Sequence, residues 1–277
     1  MRTTPEVQPE FLIASRRREL EPLLAGLPEI AVASNIFRAI GLVAVRKRVG
    51  RPYRRLVIDP GLFAENPEGL TPDGVRAVIG SLAPETGIAH AHSEGSVGES
   101  RAESVGIAAA GDGPQVLVVD DEESIRDALV EILNFGGYTA ECAADGHEAI
   151  GRVLYRKALG QEHRVILMDL KLRPDMDGAQ AARFIDDQPP PWSAHGSLSY
   201  ISAFISEVDV DRRGEVTEKG DFRLMHRFEH LRFIRMLNKP VDANDLLALV
   251  SEGVSTYEVG AFFAETAGPE DALSGGV

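Results

Sequence analysis

Residues 116–122 have the sequence VLVVDDE. Its first four residues are apolar and mostly β-branched, which is typical of a strand that is buried on both faces, as in a parallel sheet covered by helices. The strand leads directly into three acidic residues, Asp120, Asp121 and Glu122. Ligands bind at the carboxyl ends of strands in open α/β sheets, so the sequence predicts a binding site here.

A second apolar run, at residues 165–168, ends at another acidic residue, Asp169. We expect Asp120, Asp121 and Asp169 to lie together at one end of the sheet. Three neighbouring carboxylates repel one another and raise at least one pKa, so they need a counter-charge. Mg²⁺ prefers oxygen ligands and leaves room for phosphate oxygens. The sequence therefore predicts that the three aspartates converge on one divalent cation.

Two further polar residues follow predicted strands. Ser202 ends the strand predicted at residues 198–202, and its hydroxyl group would hydrogen-bond a phosphoryl oxygen. Lys239 follows the strand predicted at residues 233–237 and would neutralise another phosphoryl oxygen as a point charge. Asp169 would then be the nucleophile, whose attack on phosphorus gives an acyl phosphate. Catalysis would consist of positioning and charge neutralisation.

Four segments together resemble the receiver domain of two-component response regulators, which are signalling proteins of bacteria. They are VVDDE at 118–122, LMDLKLRPDMDG at 167–178, ISA at 201–203 and LNKP at 237–240. The resemblance covers residues 115–253 and implies an α/β, flavodoxin-like fold with a doubly wound, five-stranded parallel sheet.

The resemblance also implies roles for individual residues. Asp169 would accept phosphate from a histidine kinase or a phosphotransfer protein, and Ser202 and Lys239 would contact the phosphoryl group. Mg²⁺ would be bound by Asp120, Asp121, Asp169 and the backbone carbonyl of Lys171.

One position departs from the family. Met236 stands where receivers usually place Tyr or Phe, whose rotation reports phosphorylation, so the usual aromatic switch is in doubt.

Residues 1–92 form a second predicted domain. Four strands alternate with three helices in this segment, which indicates a smaller α/β domain. Asp59 ends the third predicted strand, where a phosphoacceptor would lie, but Ser15 and Arg16 follow the first strand in place of an acidic pair. No Lys-Pro pair closes a fifth strand. We interpret the segment as a degenerate, truncated receiver-like domain that cannot bind Mg²⁺, and an unrelated small α/β domain is the alternative.

The remaining segments connect or follow these domains. Residues 93–114 are rich in Gly, Ser, Ala and Glu and are predicted to be a linker. Residues 254–277 are predicted to be a tail or an extra helix. A missing fifth strand would leave an exposed sheet edge in residues 1–92, and such an edge pairs readily with a second chain. The sequence therefore suggests a homodimer through the N-terminal half.

Composition excludes several classes of function. The chain has 277 residues, 44% hydrophobic and 26% charged, with one cysteine and hence no intramolecular disulfide. No apolar run is long enough to span a bilayer, and the N-terminus lacks a signal-peptide core, so we expect a cytoplasmic protein without a membrane partner. Residues 1–113 contain 13 basic and 14 acidic residues, and residues 114–277 contain 16 and 29. This acidic balance argues against a nucleic-acid partner.

The expected function is that of a response regulator without a DNA-binding or enzymatic output domain, which signals to a downstream protein partner. Its only chemistry would be its own phosphorylation and dephosphorylation, so it would not be an enzyme. A pseudo-receiver scaffold that works independently of phosphorylation is the first alternative. A metal-dependent phosphatase of similar fold is the second, and it is disfavoured because Lys171 stands two residues after Asp169, where that activity needs a general acid.

Overall fold

The computed structural model describes residues 10–16, 30–64, 70–91, 97–100, 113–172, 175–187, 197–202 and 234–266. The chain divides into two compact units. The first unit consists of residues 1–111 and 147–161, and the second of residues 112–146 and 162–277. Each unit contains a five-stranded sheet. Among the helices of the described residues, none is long and apolar enough to cross a membrane.

The sheet of the first unit has four parallel strands and one antiparallel edge strand. The strands are β1 (Phe11–Ala14), β2 (Ile30–Ala33), β3 (Arg55–Ile58), β4 (Gly87–Ala91) and β5 (Val97–Ser100). Their order in the sheet is β2-β1-β3-β4-β5, and only the β4–β5 pair is antiparallel. Leu12 and Ala14 of β1, and Leu56 and Ile58 of β3, are buried, because alternate residues of these strands face the core.

Two side-chain caps fix the helices of the first unit. In the described part of residues 1–111 the helices are α1 (Ile36–Arg48), α2 (Gly61–Ala64) and α3 (Pro72–Leu82). The Asn35 side chain accepts a hydrogen bond from the Arg38 backbone N–H at 2.8 Å, and Thr71 Oγ1 accepts one from the Gly74 N–H at 3.0 Å. Each cap satisfies a backbone donor that has no partner inside its helix. Asn and Thr are both favoured at N-cap positions for this reason.

Strand β5 is a departure from the sequence-based prediction. Residues 97–100 fall in the segment 93–114, which was predicted to be a linker, and the first domain was predicted to have only four strands. The structure pairs Val97 with Ala91 and Ser100 with Ile88. Val97 is the only large apolar residue in VGES, so the strand carries no alternating pattern and its pairing depends on backbone hydrogen bonds. The open edge that motivated the homodimer hypothesis is therefore occupied by β5.

The second unit is an α/β sheet of the flavodoxin-like class. Its strands are β6 (Val116–Val119), β7 (Ala140–Ala143), β8 (Val165–Asp169), β9 (Ser197–Ser202) and β10 (Ile234–Asn238), all parallel. The order is β10-β9-β8-β6-β7, which is the doubly wound order 2-1-3-4-5 read from the opposite edge. Strands β6 and β8 are buried along their whole length, as the apolar runs at 116–119 and 165–168 predict.

In the described residues from 113 onwards, the second half of the chain, the helices are α4 (Glu123–Phe135), α5 (Gly146–Ala158), α6 (Gly178–Asp186) and α7 (Ala243–Thr266). One side of the sheet is covered by α4 and α7. Leu129 and Leu133 of α4, and Leu246 and Val250 of α7, form a single buried cluster with the apolar side chains of β6 and β8. Helix α7 runs on to Thr266, so the predicted boundary between residues 253 and 254 lies inside a continuous helix.

Helix α5 differs from the other helices of the second half. By chain order it lies within the predicted domain 115–253, yet residues 147–161 belong to the first compact unit. Residues 146–156 are all buried. The buried residues include the polar side chains of His147, Glu148, Arg152 and Arg156. Charged residues usually mark the exposed face of a helix, so the sequence gives no sign that this face is covered.

Candidate functional site

Adjacent strands bring the predicted acidic residues together. In the second unit β6 pairs in parallel with β8, and Val119 lies opposite Met168. The next residues along the two strands, Asp120 and Asp169, therefore lie at the same carboxyl end of the sheet. Both strands consist of buried apolar residues, and each strand ends where the sequence becomes polar.

The three aspartates form a compact cluster. One carboxylate oxygen from each of Asp120, Asp121 and Asp169 lies within 4.8 Å of the others. Asp120 is 1% exposed and Asp169 is 6% exposed. Within the described part of the chain, this is the one group of three or more acidic, histidine or cysteine ligands that is close enough to hold a metal ion.

Backbone amides orient two of these carboxylates. The Glu122 N–H donates to Asp120 Oδ1 at 2.9 Å, and the Lys171 N–H donates to Asp169 Oδ1 at 3.1 Å. Each Oδ1 atom is thereby fixed by the loop that follows its own strand. The Oδ2 atom of each carboxylate is turned towards a third side chain.

That third side chain is Lys239, which follows β10. Its ammonium group donates to Asp120 Oδ2 at 2.5 Å and to Asp169 Oδ2 at 2.8 Å. The side chain is 14% exposed. Burial by itself would lower the pKa of Lys239, but the hydrogen bonds to Asp120 and Asp169 and their negative charges outweigh burial, so the pKa lies above the ordinary lysine value of 10.5.

The donor set fits a hard divalent cation. All three candidate ligands are carboxylates, which are the ligands that Mg²⁺ prefers. Three carboxylates and one ammonium group carry a net charge of −2 when all are ionised, so one divalent cation would balance the site. Lys239 holds the Oδ2 atoms of two of these candidate ligands.

Two contributors to the site are absent from the sequence-based set. Arg126 donates from Nη1 to the backbone carbonyl of Asp120 at 2.7 Å. Gly178 packs so closely that a Cβ atom there would lie 1.9 Å from the Asp169 carbonyl oxygen. Both residues contact backbone carbonyl oxygens. Every residue has such an oxygen, so no residue type in the sequence indicates these contacts. The available signals are the position of Gly178 at the end of the resembling segment 167–178 and the place of Arg126 on the first turn of α4.

The pairing of the strands gives the positions of the other predicted site residues. Strand β9 lies between β8 and β10, with Ile201 opposite Asp169 and Ser202 opposite Asn238. Ser202 thus ends β9 one residue beyond the level of Asp169, and the predicted contact of its hydroxyl group lies outside what the structure describes. Lys171 is exposed, and its backbone follows Asp169. Met236 lies in β10 opposite Tyr200 of β9.

In the first unit Asp59 follows β3 but has different partners. Ser15, which follows β1, donates from its hydroxyl group to Asp59 Oδ2 at 2.9 Å, and the Gly61 N–H donates to Oδ1 at 3.0 Å. The strand order β2-β1-β3-β4-β5 is the same as in the second unit. The strand order therefore repeats, although β5 is antiparallel, and a hydroxyl group lies beside Asp59 where the second unit has carboxylates.

Comparison with known proteins gives a family match for part of the chain. Residues 116–210 match the response regulator receiver domain. The response regulator MprA of Mycobacterium tuberculosis H37Rv is 27% identical over 140 residues, covering 49% of this chain and 56% of that protein. MprA of Mycolicibacterium vanbaalenii is 32% identical over 79 residues, covering 27% of this chain and 32% of that protein. The chain thus spans between about one third and about half of the length of these relatives.

Solved receiver domains are also similar to this chain. A CheY-like receiver domain protein from Methanospirillum hungatei is 22% identical, with a TM-score of 0.40, and the match covers 52% of this chain and 95% of that one. The receiver domain of a putative Luxo repressor protein from Vibrio parahaemolyticus is 21% identical, with a TM-score of 0.41, and the match covers 54% and 96%.

Proposed function

The chain contains a response regulator receiver domain at residues 116–210, and on this premise we propose that it is a phosphorylation-controlled response regulator whose phosphoacceptor is Asp169. Receiver domains of this family are signalling domains that interact with histidine kinases or phosphotransfer proteins. The proposed donor is accordingly a phosphohistidine on such a protein, and the proposed output is a contact with a downstream protein partner. The chain would catalyse only its own phosphorylation and dephosphorylation.

One observation carries this proposal. The carboxylate of Asp169 ends the central strand β8, and it is grouped with Asp120, Asp121 and the ammonium of Lys239. A structural ion pair would not need three carboxylates for one lysine. The excess of negative charge at the end of a sheet is what a cation-assisted phosphoryl transfer requires, because the transferred group carries charge on its equatorial oxygens.

The chain's own residues have separable roles in the proposed transfer. An oxygen of Asp169 forms a bond to phosphorus while the bond from phosphorus to the donor histidine nitrogen breaks, and that nitrogen keeps the electron pair. The Lys171 N–H holds Asp169 Oδ1, which orients the attacking carboxylate. The Lys239 ammonium would move from Asp169 Oδ2 to a phosphoryl oxygen and neutralise it. Ser202, at the end of β9, would hydrogen-bond a second phosphoryl oxygen.

The proposed cofactor is Mg²⁺, held by Asp120, Asp121, Asp169 and the backbone carbonyl of Lys171. It would supply positive charge to the transferring phosphoryl group. The three carboxylates support this assignment by their spacing. Glu122 and Lys171 support it indirectly, because their N–H groups keep the carboxylates of Asp120 and Asp169 in place without adding charge.

Incubation with acetyl phosphate and Mg²⁺ tests this function. We expect the intact mass of the wild-type protein to increase by one phosphoryl group, and we expect no increase in Asp169→Asn or in the presence of a chelator. Asp59→Asn is the matched control, because Asp59 also follows a third strand but is held by Ser15 and Gly61, and this variant should gain the same mass as wild type. No gain in wild type, or a gain that survives Asp169→Asn, would contradict the proposal.

The pseudo-receiver scaffold is the second candidate, and one observation favours it. Lys239 already bridges Asp120 and Asp169, so part of the negative charge is neutralised from within the chain. A scaffold of this kind would show no mass gain and the same partner affinity with and without acetyl phosphate.

A homodimer through the N-terminal half stays a prediction, and light scattering at high concentration tests it.

A further inference from the structure

Helix α5, Gly146–Ala158, occupies an unusual place in the chain. Residues 147–161 belong to the compact unit that contains residues 1–111, whereas the residues on both sides of them belong to the other unit. In the chain α5 follows β7 and precedes β8, and β8 ends at Asp169. The first unit therefore incorporates a helix whose two ends continue into the sheet that carries the proposed phosphoacceptor.

The backbones of α5 and α1 touch within the first unit. A Cβ atom on Gly151 would lie 1.8 Å from the carbonyl oxygen of Phe37, and a Cβ atom on Gly41 would lie 1.8 Å from the carbonyl oxygen of His147. Ordinary Cβ contacts with backbone atoms are not shorter than about 3 Å, because such atoms repel steeply at closer range. Each helix thus contributes a glycine at the point where the backbone of the other passes.

Aromatic and charged side chains extend this contact. The Phe37 and Tyr155 rings meet edge to face, with centroids 5.6 Å apart and an interplanar angle of 78°. The Arg152 guanidinium lies 4.2 Å from the centre of the Phe37 ring. Arg152 also pairs with Glu148 at 2.8 Å, and both side chains are 8% exposed.

The packing of α5 on α1 requires that α5 keep one rotation and one position along its axis. Rotating or sliding α5 would drive Cβ atoms into backbone oxygens at the two glycines. It would also move the Arg152 guanidinium away from the Phe37 ring, whereas the Glu148–Arg152 pair lies within α5 and would move with the helix. The close packing therefore disfavours small displacements of α5 along or around its axis.

The beginning of α5 is also packed against the surroundings of Asp169. Within the second unit a Cβ atom on Gly146 would lie 2.8 Å from Met176 Cγ and 3.0 Å from the Cβ atom of Ala181. Met176 belongs to the loop that follows Asp169, and Gly178 in the same segment touches the Asp169 carbonyl oxygen. Tightly packed contacts thus lead from Asp169 to the first residue of α5.

We propose that the first unit is the intramolecular partner that responds to phosphorylation of Asp169, and that helix α5 carries the response. Phosphorylation of Asp169 shifts Met176, Met176 packs against Gly146, and α5 changes its packing on α1. This inference depends on the proposed function, because it requires that Asp169 be phosphorylated.

Hydrogen–deuterium exchange of the full chain tests the inference. Peptides that cover residues 36–48 and 146–158 are compared with and without acetyl phosphate and Mg²⁺, and the phosphorylated fraction is measured by intact mass in the same samples. We expect exchange in both peptides to change by at least about fivefold on phosphorylation, the lower end of ordinary coupling between sites. The change should be absent in Asp169→Asn under the same conditions.

Gly151→Ala and a matched control locate the coupling. Alanine at 151 should leave the mass gain intact but remove the phosphorylation-dependent change in residues 36–48. Gly87→Ala adds the same methyl group where its nearest neighbour, the Arg54 carbonyl oxygen, would lie at 3.5 Å, and this variant should respond as wild type does. If Gly151→Ala does not fold, the comparison of wild type with Asp169→Asn decides the inference without it.

The outcomes separate the two proposals. A mass gain with unchanged exchange in residues 36–48 overturns this inference and leaves the proposed function standing. Absence of a mass gain in wild type overturns the proposed function, and the inference with it. A mass gain together with the exchange change in wild type, and its loss in Asp169→Asn, supports both.

Discussion

At the scale of single residues, Lys239 supplies the positive charge next to the carboxylates of Asp120 and Asp169. Its ammonium group joins two buried carboxylates that would otherwise repel each other. Lys239→Met should lower the free energy of unfolding by about 3 kcal/mol without Mg²⁺, because two buried charges lose their partner. Urea titrations measure this, and most of the loss should return when Mg²⁺ is added.

The matched control for Lys239→Met is Lys171→Met. Lys171 is exposed and lies two residues after Asp169, so removing its charge should change the free energy of unfolding by no more than about 0.5 kcal/mol. Equal losses in the two variants would show that the bridge between Asp120 and Asp169 contributes nothing beyond general charge.

The pH dependence of stability follows from the same bridge. The folded-state pKa of Lys239 lies above 10.5, so the protonated lysine stabilises the folded protein fully below that pH. This stabilisation is lost as the pH rises through the folded-state pKa. We expect the stability difference between wild type and Lys239→Met, measured without Mg²⁺, to be constant up to about pH 10 and to shrink above it. A difference that grows with alkaline pH would contradict the assignment.

Gly178 gives a prediction about the backbone of the site. Gly178→Ala would place a methyl group 1.9 Å from the Asp169 carbonyl oxygen, so the end of β8 or the start of α6 must move. We expect a loss of about 1–3 kcal/mol in stability, as for other overpacked sites, together with weaker Mg²⁺ binding measured by calorimetry. Gly87→Ala serves as control, and unchanged Mg²⁺ affinity in Gly178→Ala would contradict the role given to this contact.

At the scale of elements, the helix caps show what a sequence specifies well. Asn35→Ala should cost about 1 kcal/mol, because the Arg38 N–H loses its acceptor, and Asn35→Asp should cost much less since a carboxylate also accepts this hydrogen bond. The neighbouring exposed Ser34→Ala is the control. Urea unfolding of the three variants checks the order, and a Ser34→Ala loss as large as that of Asn35→Ala would contradict it.

Local patterns explain why these elements were predictable. The apolar runs before Asp120 and Asp169 and the caps at Asn35 and Thr71 depend on residues within a few positions, and the structure has all of them. Strand β5 and the grouping of α5 with the first unit depend on partners far away in the chain. The carbonyl contacts of Arg126 and Gly178 were likewise invisible, because their partners are backbone atoms that every residue possesses.

At the scale of the whole molecule, the first unit is discontinuous in sequence. Residues 1–111 pack with residues 147–161, so a cut between Gly111 and Asp112 should not yield two independent proteins. We expect the two fragments from an engineered protease site at that position to elute together in size-exclusion chromatography. Phe37→Ala, which removes the ring that Tyr155 and Arg152 contact, should promote their separation. Separate elution of the wild-type fragments would contradict the discontinuous unit.

The discontinuity also bears on synthesis at the ribosome. The 111 residues that begin the first unit emerge 50 residues before the chain reaches Gln161, the last residue of its second segment. At ordinary translation rates of about 5–20 residues per second, the surface around Phe37 and Gly41 waits about 3–10 s for its helix. During this time Phe37 and Gly41, which are buried in the folded unit, lack the helix that covers them. The first unit is therefore completed only after residues 112–146 of the second unit have been made.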